Sequence, residues 1–465
     1  MKLSKSKFSS AGRRGNHGGV TERASVLVIV MLIAFGLISI ALYFAHSMTF
    51  ELRASDNRAS GLVTEQAIEG AARYVSYMLA TYATNGVMPT NNSEFVCAAV
   101  PIGDAHFWLI GRDPSGTPSS DPSFGLIDEG SKLNLNTVNT NVLSYLPNMT
   151  LDFADAIVDW RNSNSTMSLD YASLGYAAKE APFETVDELR LVYGANMDLL
   201  VGNDLNQNGV MDANEQNVDS SSQWNPGLFE YVTVYTREPN FHSDGTLLTN
   251  VNSASDQDLQ TLFQNAGVSN PSSLAASLYE NIHPPTSSRP NSCAGLMDFC
   301  VRCKNAGMSS ADFAKITSNI ATSTNAYIYG RVNVNTASAT VLEALFMGLN
   351  VDQQTALGAA QSLVTYRGQN PNNLASIAWV VDALGNSSPV IQALQRGDYI
   401  TTRSFQFTAD IAAIGPYGRG YRRVKFIFDT SNGTPKIIYR QDLTRLGWAL
   451  GEKVRETWVT QRSNG

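Results

Sequence analysis

Residues 25–45 read SVLVIVMLIAFGLISIALYFA, 21 residues without a charge. As a helix this run is about 32 Å long, enough to cross a hydrocarbon core of roughly 30 Å. Lys2, Lys5, Lys7, Arg13, Arg14 and Arg23 all precede it, against Glu22. That bias predicts a cytoplasmic N-terminus with the bulk of the chain outside. A secretory signal cleaved near Ala45-His46-Ser47 is the rival. Its apolar region would be too long, since signal cores run to about 15 residues. The helical pattern continues past the run. No Pro occurs from Phe50 to Tyr82, and Val63, Ala67, Ala71, Val75, Met78 and Tyr82 recur at helical spacing. One long helix is expected, apolar first and amphipathic after, ended by the Pro/Asn/Thr cluster beyond Gly86.

The remaining chain is long enough for two or three domains. The basic start carries a net +5 of the formal −8, which leaves −13 for the rest. A domain this acidic is a poor general binder of nucleic acid, so none is expected as a partner. Its five histidines, His17, His46, His106, His242 and His283, form no His-x-x-x-His pair. No Gly-x-Ser-x-Gly elbow occurs either, so no catalytic residue is assigned and the chain is not read as an enzyme.

The middle of the chain repeats itself. GSKLNLNTVNTNVLSYL at 130–146 matches GRVNVNTASATVLEAL at 330–345. Asn134, Asn136, Thr137, Val142, Leu143 and Leu146 align with Asn333, Asn335, Thr336, Val341, Leu342 and Leu345 at a constant offset of 199. Ala154, Ile157 and Arg161 then align with Ala360, Leu363 and Arg367 at 206. Each copy reads as a strand, a helix capped by Thr137 or Thr336, a turn and a second helix. Such hairpins can bind DNA through a Gly-rich turn, but no basic cluster flanks either turn, so a packing module is expected. Strands are expected at His106–Gly111, Phe124–Ile127, Tyr231–Tyr235, Phe405–Ile414, Arg422–Phe428 and Lys436–Tyr439, with turns at Pro416-Tyr417-Gly418 and Asn432-Gly433.

DLNQNGVMDANE at 204–215 has the layout of a calcium loop. Asp204, Asn206 and Asn208 would supply side-chain oxygens and Val210 a backbone carbonyl. Asp212 would serve the ninth position, often through water, and Glu215 would bind bidentately. An Asx-rich turn without an ion is the alternative. With few carboxylates the Ca²⁺ site should be weak and structural, a staple for the segment between a helix at Asp187–Tyr193 and the strand at Tyr231. Of the four cysteines, Cys293 is expected to pair with Cys300 or Cys303, as suits an oxidising compartment.

In this order the parts resemble the minor pseudopilin K family of type II secretion systems (general secretion pathway protein K). The resemblance is carried by RASVLVIVMLIAFGLISIALYFA, GSKLNLNTVNTNVLSYLP with ADAIVDWR, APFETVDELRLVYG, YVTVYTREPN and GRVNVNTAS, and spans residues 10 to 440. It implies an α+β, pilin-like fold. A long transmembrane and amphipathic helix would pack on an antiparallel sheet. A large helical insertion would carry two helix-hairpin-helix-like modules. It also implies calcium in the helical region and a place at the tip of the pseudopilus. The implied partners are minor pseudopilins I and J, the major pseudopilin filament and the inner-membrane assembly platform. Prepilin peptidase sites of the family usually follow a Gly. Here the bond at the head of the apolar run is Ala24–Ser25, favoured over Gly19–Val20, which would leave Glu22 and Arg23 beside the bilayer core. The basic leader is long for the family. Counted from Ser25, mature position five is Ile29 rather than the Glu of ordinary pseudopilins. A tip subunit has no subunit above it whose amine needs neutralising.

The expected map is a removed leader 1–24, a transmembrane helix 25–45 and its amphipathic continuation 46–86. The first part of the sheet follows at 87–130, then a helical module with the calcium loop at 131–230. A strand and linker at 231–245 lead to a second module at 246–398 and the C-terminal sheet and tail at 399–465. With that resemblance, the anchor implies a single-pass protein of the inner membrane, with its bulk in the periplasm.

Overall fold

The computed structural model describes residues 21–83, 86–90, 92–113, 121–215, 224–285 and 289–459. The chain divides into two compact units, residues 1–60 and 61–465. Each is described by itself. The leader expected at 1–24 lies largely outside the described residues.

A single helix runs from Thr21 to Tyr82, so Ala24 and Ser25 have helical backbone. In the first unit its apolar side chains are exposed, Leu32 and Tyr43 by 70% and 71%. Among the described residues this is the one helix long and apolar enough to cross a membrane. So continuous an apolar surface calls for lipid, which fits single-pass anchoring.

In the second unit the helix turns amphipathic. Ala67, Ile68, Ala71, Ala72, Val75, Met78 and Leu79 are buried in one core with Phe107, Leu109, Phe407, Ala409, Ile411 and Phe426. The alanines keep that face of the helix flat, so the sheet can approach closely. Five strands lie in the order Val100–Ile102, Ala105–Ile110, Gln406–Ile414, Tyr421–Asp429 and Lys436–Asp442, all antiparallel, with Ile127–Asp128 also pairing Gln406–Ile414. The central strand Gln406–Ile414 is buried at every position, because both sheet faces are covered. On the second face Trp108, Ile110, Ala412 and Ile414 form a smaller core with Ala449 and Leu450. The ring of Trp458, from the helix Gly451–Val459, meets Trp108 edge-on at 5.5 Å. This is the α+β class expected, with a helical region inserted between Asp128 and Gln406.

That region contains three copies of one unit, not two. Asn250, Val251, Asn252, Ala254, Ser255, Leu259, Leu262, Phe263 and Val268 match Asn333, Val334, Asn335, Ala337, Ser338, Leu342, Leu345, Phe346 and Val351 at a constant offset of 83. Each copy opens with a two-residue strand that later gains a parallel partner: Leu133–Asn134 with Val232–Thr233, Thr249–Asn250 with Ile320–Ala321, and Val332–Asn333 with Ile400–Thr401. In each, the first Asn side chain accepts the backbone N–H two residues on, at 2.8, 3.0 and 3.0 Å. The second Asn then clamps a distant backbone: Phe183, Cys293 with Thr322, and Leu374 with Thr402. Each hairpin turns through a left-handed residue, Asn148, Gly267 or Asn350, with φ of 59°, 65° and 65°. That geometry ends the first helix and starts the return.

Three expectations are corrected here. The helices are capped not by Thr137 and Thr336 but two residues later, by Asn139 and Ser338, whose side chains accept from Val142 and Val341. The Asn-headed turn uses up the two intervening residues. Tyr231–Tyr235 shortens to Val232–Thr233 and closes the first copy instead of joining the main sheet. The sequence alternation there is that of a buried strand, and it does not say which neighbour is paired. The helix expected at Asp187–Tyr193 is a 3-10 helix, Val186–Leu191.

Candidate metal centre

The polar loop 204–215 follows a short helix, Met197–Leu200, capped by Asn196. Its entry needs glycine. Gly202 has φ +63°, and a Cβ there would lie 2.0 Å from the carbonyl oxygen of Asn225. Asn203 and Asn225 close the ends, N–H to carbonyl at 2.8 Å and N–H to side chain at 2.9 Å.

Inside the loop the oxygens converge on backbone donors. Asp204 accepts the N–H groups of Asn208 and Gly209 at 3.0 and 2.9 Å. The Oδ1 atoms of Asn206 and Asn208 accept from Asn208 and Val210 at 3.0 and 2.9 Å. The Glu215 carboxylate spans the N–H groups of Asn206 and Asp212 at 3.2 and 3.0 Å. Gly209 makes the turn at φ +82°. Both Asn amide nitrogens point the other way, to Asp212 Oδ2 at 2.6 and 3.0 Å and to the carbonyls of Trp448 and Ala449 at 3.1 and 3.3 Å. This fixes the amide orientation, so Oδ1 and not Nδ2 faces the loop interior. Asp212 therefore orients the two asparagines.

Asp204, Asn206, Asn208, Val210 and Glu215 are all buried. Burial pushes the Asp204 carboxyl up to about 7, against the opposing pull of Arg112, and raises Glu215 as well. Two buried carboxylates among neutral oxygens are costly without a cation. Hard oxygen donors of this kind suit Ca²⁺, so the residues present fit that ion. Among the described residues no three His, Cys, Asp or Glu side chains gather as a metal cluster. The loop relies on asparagine and backbone oxygens as well as its carboxylates.

The loop is welded to the sheet, which its sequence does not reveal. Arg423, fully buried on the strand Tyr421–Asp429, holds Asp410 across the ladder at 2.8 and 2.6 Å. The same guanidinium donates to the carbonyls of Asn206 and Gln207, the latter at 2.7 Å. Arg112 donates to Gln207 at 3.2 Å and pairs with Glu230 at 2.8 Å. A second weld was equally silent. Buried Asp128 accepts from Gly130, Asn333, Thr336 and Ser404, and so ties the third copy to the sheet. Its only sequence signal is an acidic residue at the end of an apolar strand.

The expected disulfides are not formed. Cys293, Cys300 and Cys303 are free thiols in the helical core, and Cys97 is buried in the sheet core. Cys300 and Cys303 share the helix Leu296–Asn305, while Cys293 precedes it with its backbone held by Asn252. Burial pushes Cys293 and Cys300 up to about 12, so they are unreactive as they stand.

Residues 332–395 match the family model of type II secretion system protein K. The match covers most of the third copy and supports the minor pseudopilin K family. Among solved structures, one similar chain belongs to the GspK–GspI–GspJ complex of the enterotoxigenic Escherichia coli type 2 secretion system. It is 11% identical, with a TM-score of 0.40, and the likeness covers 84% of this chain and 99% of that one. No curated protein matches.

Proposed function

We propose that this chain is a structural, non-enzymatic minor pseudopilin of a type II secretion system. It caps the tip of the pseudopilus and promotes its initiation in a complex with minor pseudopilins I and J. The observation that carries this reading is the protein K family match on residues 332–395, in a chain opened by an anchor-length apolar helix. The helical region between Asp128 and Gln406 supports the tip position, since so large an insertion is difficult to accommodate inside a helical filament. Prepilin peptidase cleaves at Ala24–Ser25, the helix stays in the inner membrane, and the bulk stands in the periplasm. The loop 204–215 holds a structural Ca²⁺.

Co-expression tests the assembly. The chain truncated before residue 50 should co-purify with its cognate I and J proteins in equal amounts and should not polymerise alone. Folded partners that stay apart would remove the tip assignment. N-terminal sequencing from membranes should begin at Ser25; a start near Met48 would mean a cleaved secretory signal.

A further inference from the structure

Between the sheet, the first copy and the polar loop lies a cavity of about 80 Å³, lined by Lys132, Tyr235, Lys425 and Tyr439 among others. Its carboxylates are all engaged. Glu129 accepts from Thr233 and Thr408, the latter at 2.6 Å. Asp187 accepts from Gln441 at 2.7 Å and pairs with Arg190 at 3.2 Å. Asp204 belongs to the loop, Glu230 to Arg112 and Asp410 to Arg423.

Three of its five cations, Lys132, Lys425 and Arg445, are different. Among the described residues neither Lys132, Lys425 nor Arg445 has a carboxylate within ion-pair distance. Lys425 sits 6.0 Å from the centre of the Tyr439 ring. Lys132 and Lys425 are half-buried, and Arg445 is exposed at the cavity's rim. A third group stands with them: the Tyr235 hydroxyl is buried and has no hydrogen-bond partner among the described residues. Burial and then the charge of Lys132 push the Lys425 ammonium down, while Glu129, Asp187 and Asp410 pull it up. Unpaired donors turned into an enclosed space are expensive unless a ligand or water answers them.

We propose that this cavity binds a small oxyanion, held by the ammonium groups of Lys132 and Lys425 and by the Tyr235 hydroxyl. A charge-assisted bond from each lysine would satisfy the anion's oxygens. The free space suits a sulfate-, phosphate- or carboxylate-sized group. Occupancy would tie Lys132, which precedes the first copy, to the sheet strand that carries Lys425. The site is independent of the pseudopilin reading, because it rests on the cavity alone.

The test uses the full chain in detergent, with sulfate and acetate as probes and chloride at matched ionic strength as the control. Calorimetric titration should show one site, and the melting temperature should rise with sulfate or acetate beyond the chloride control. Lys425→Met should weaken binding about tenfold or more. It should leave the fold intact, because a linear apolar side chain replaces an unpaired cation. Tyr235→Phe removes only the hydroxyl and should weaken binding severalfold. No stabilisation of the wild type beyond chloride overturns the proposal. So does full retention of binding in both variants.

Discussion

The first and third copies of the repeated unit solve one problem by different means. Both open with the same Asn-headed turn and both close with a parallel strand. Both also use an arginine, Arg161 or Arg367, to hold the carbonyls of the opening segment; Arg367 reaches Val334 and Ala337 at 3.0 and 2.7 Å. The third copy then fills its return path with apolar helices. Trp379, Val380, Val390, Ile391 and Leu394 are buried, and Trp379 stacks on Tyr366 while donating to Asn335 at 2.9 Å. The first copy sends its return path through residues 203–215, where Leu205 is half exposed and, Val210 apart, the buried groups are Asp, Asn and Glu. A segment that cannot bury apolar area must be held by polar bonds with a definite geometry. With the proposed Ca²⁺ in place, the comparison separates a copy that depends on an ion from one that does not.

The largest effects should come from breaking each means of support. Trp379→Ala should cost about 3–5 kcal/mol through the cavity it leaves, with the calcium response unchanged. Arg423→Met should cost a similar 3–5 kcal/mol, because Asp410 and two loop carbonyls lose their partner, and should also blunt the calcium response. Thermal melts of the soluble fragment, with and without calcium, read both. Equal calcium responses in the two variants would erase the distinction between the copies.

Calcium itself comes next. At tenfold excess over its dissociation constant the ion should add about 1.4 kcal/mol. Asp204→Asn with Glu215→Gln should abolish the increment and leave the chelated melting curve nearly in place. A wild-type curve indifferent to chelator would make the loop an ion-free Asx turn.

The smallest expected effects sharpen what the copies share. Asn139→Ala and Ser338→Ala should each cost about 1 kcal/mol as lost caps. Thr137→Val should cost less than Asn139→Ala in the same denaturant titrations, because Thr137 caps nothing. If the order reversed, the helix start in the first copy would lie two residues earlier.

The amino-acid sequence was sufficient for most of what depends on periodicity and local chemistry, though it misplaced the caps at Thr137 and Thr336. It carried the apolar run, the amphipathic continuation, the C-terminal hairpins, two of the three copies and the Asp204–Glu215 loop. The second copy is legible too, in the match of Asn250-Val251-Asn252 to Asn333-Val334-Asn335 at an offset of 83. Only the tertiary structure decided which strand closes which unit, since a two-residue strand has no pattern that names its partner. It alone brought Arg423 under Asn206 and Ser404 beside Asp128, at sequence separations of 217 and 276. A buried charge carries no mark in the sequence of the group that will answer it, because that group is chosen by the fold and not by the neighbouring chain.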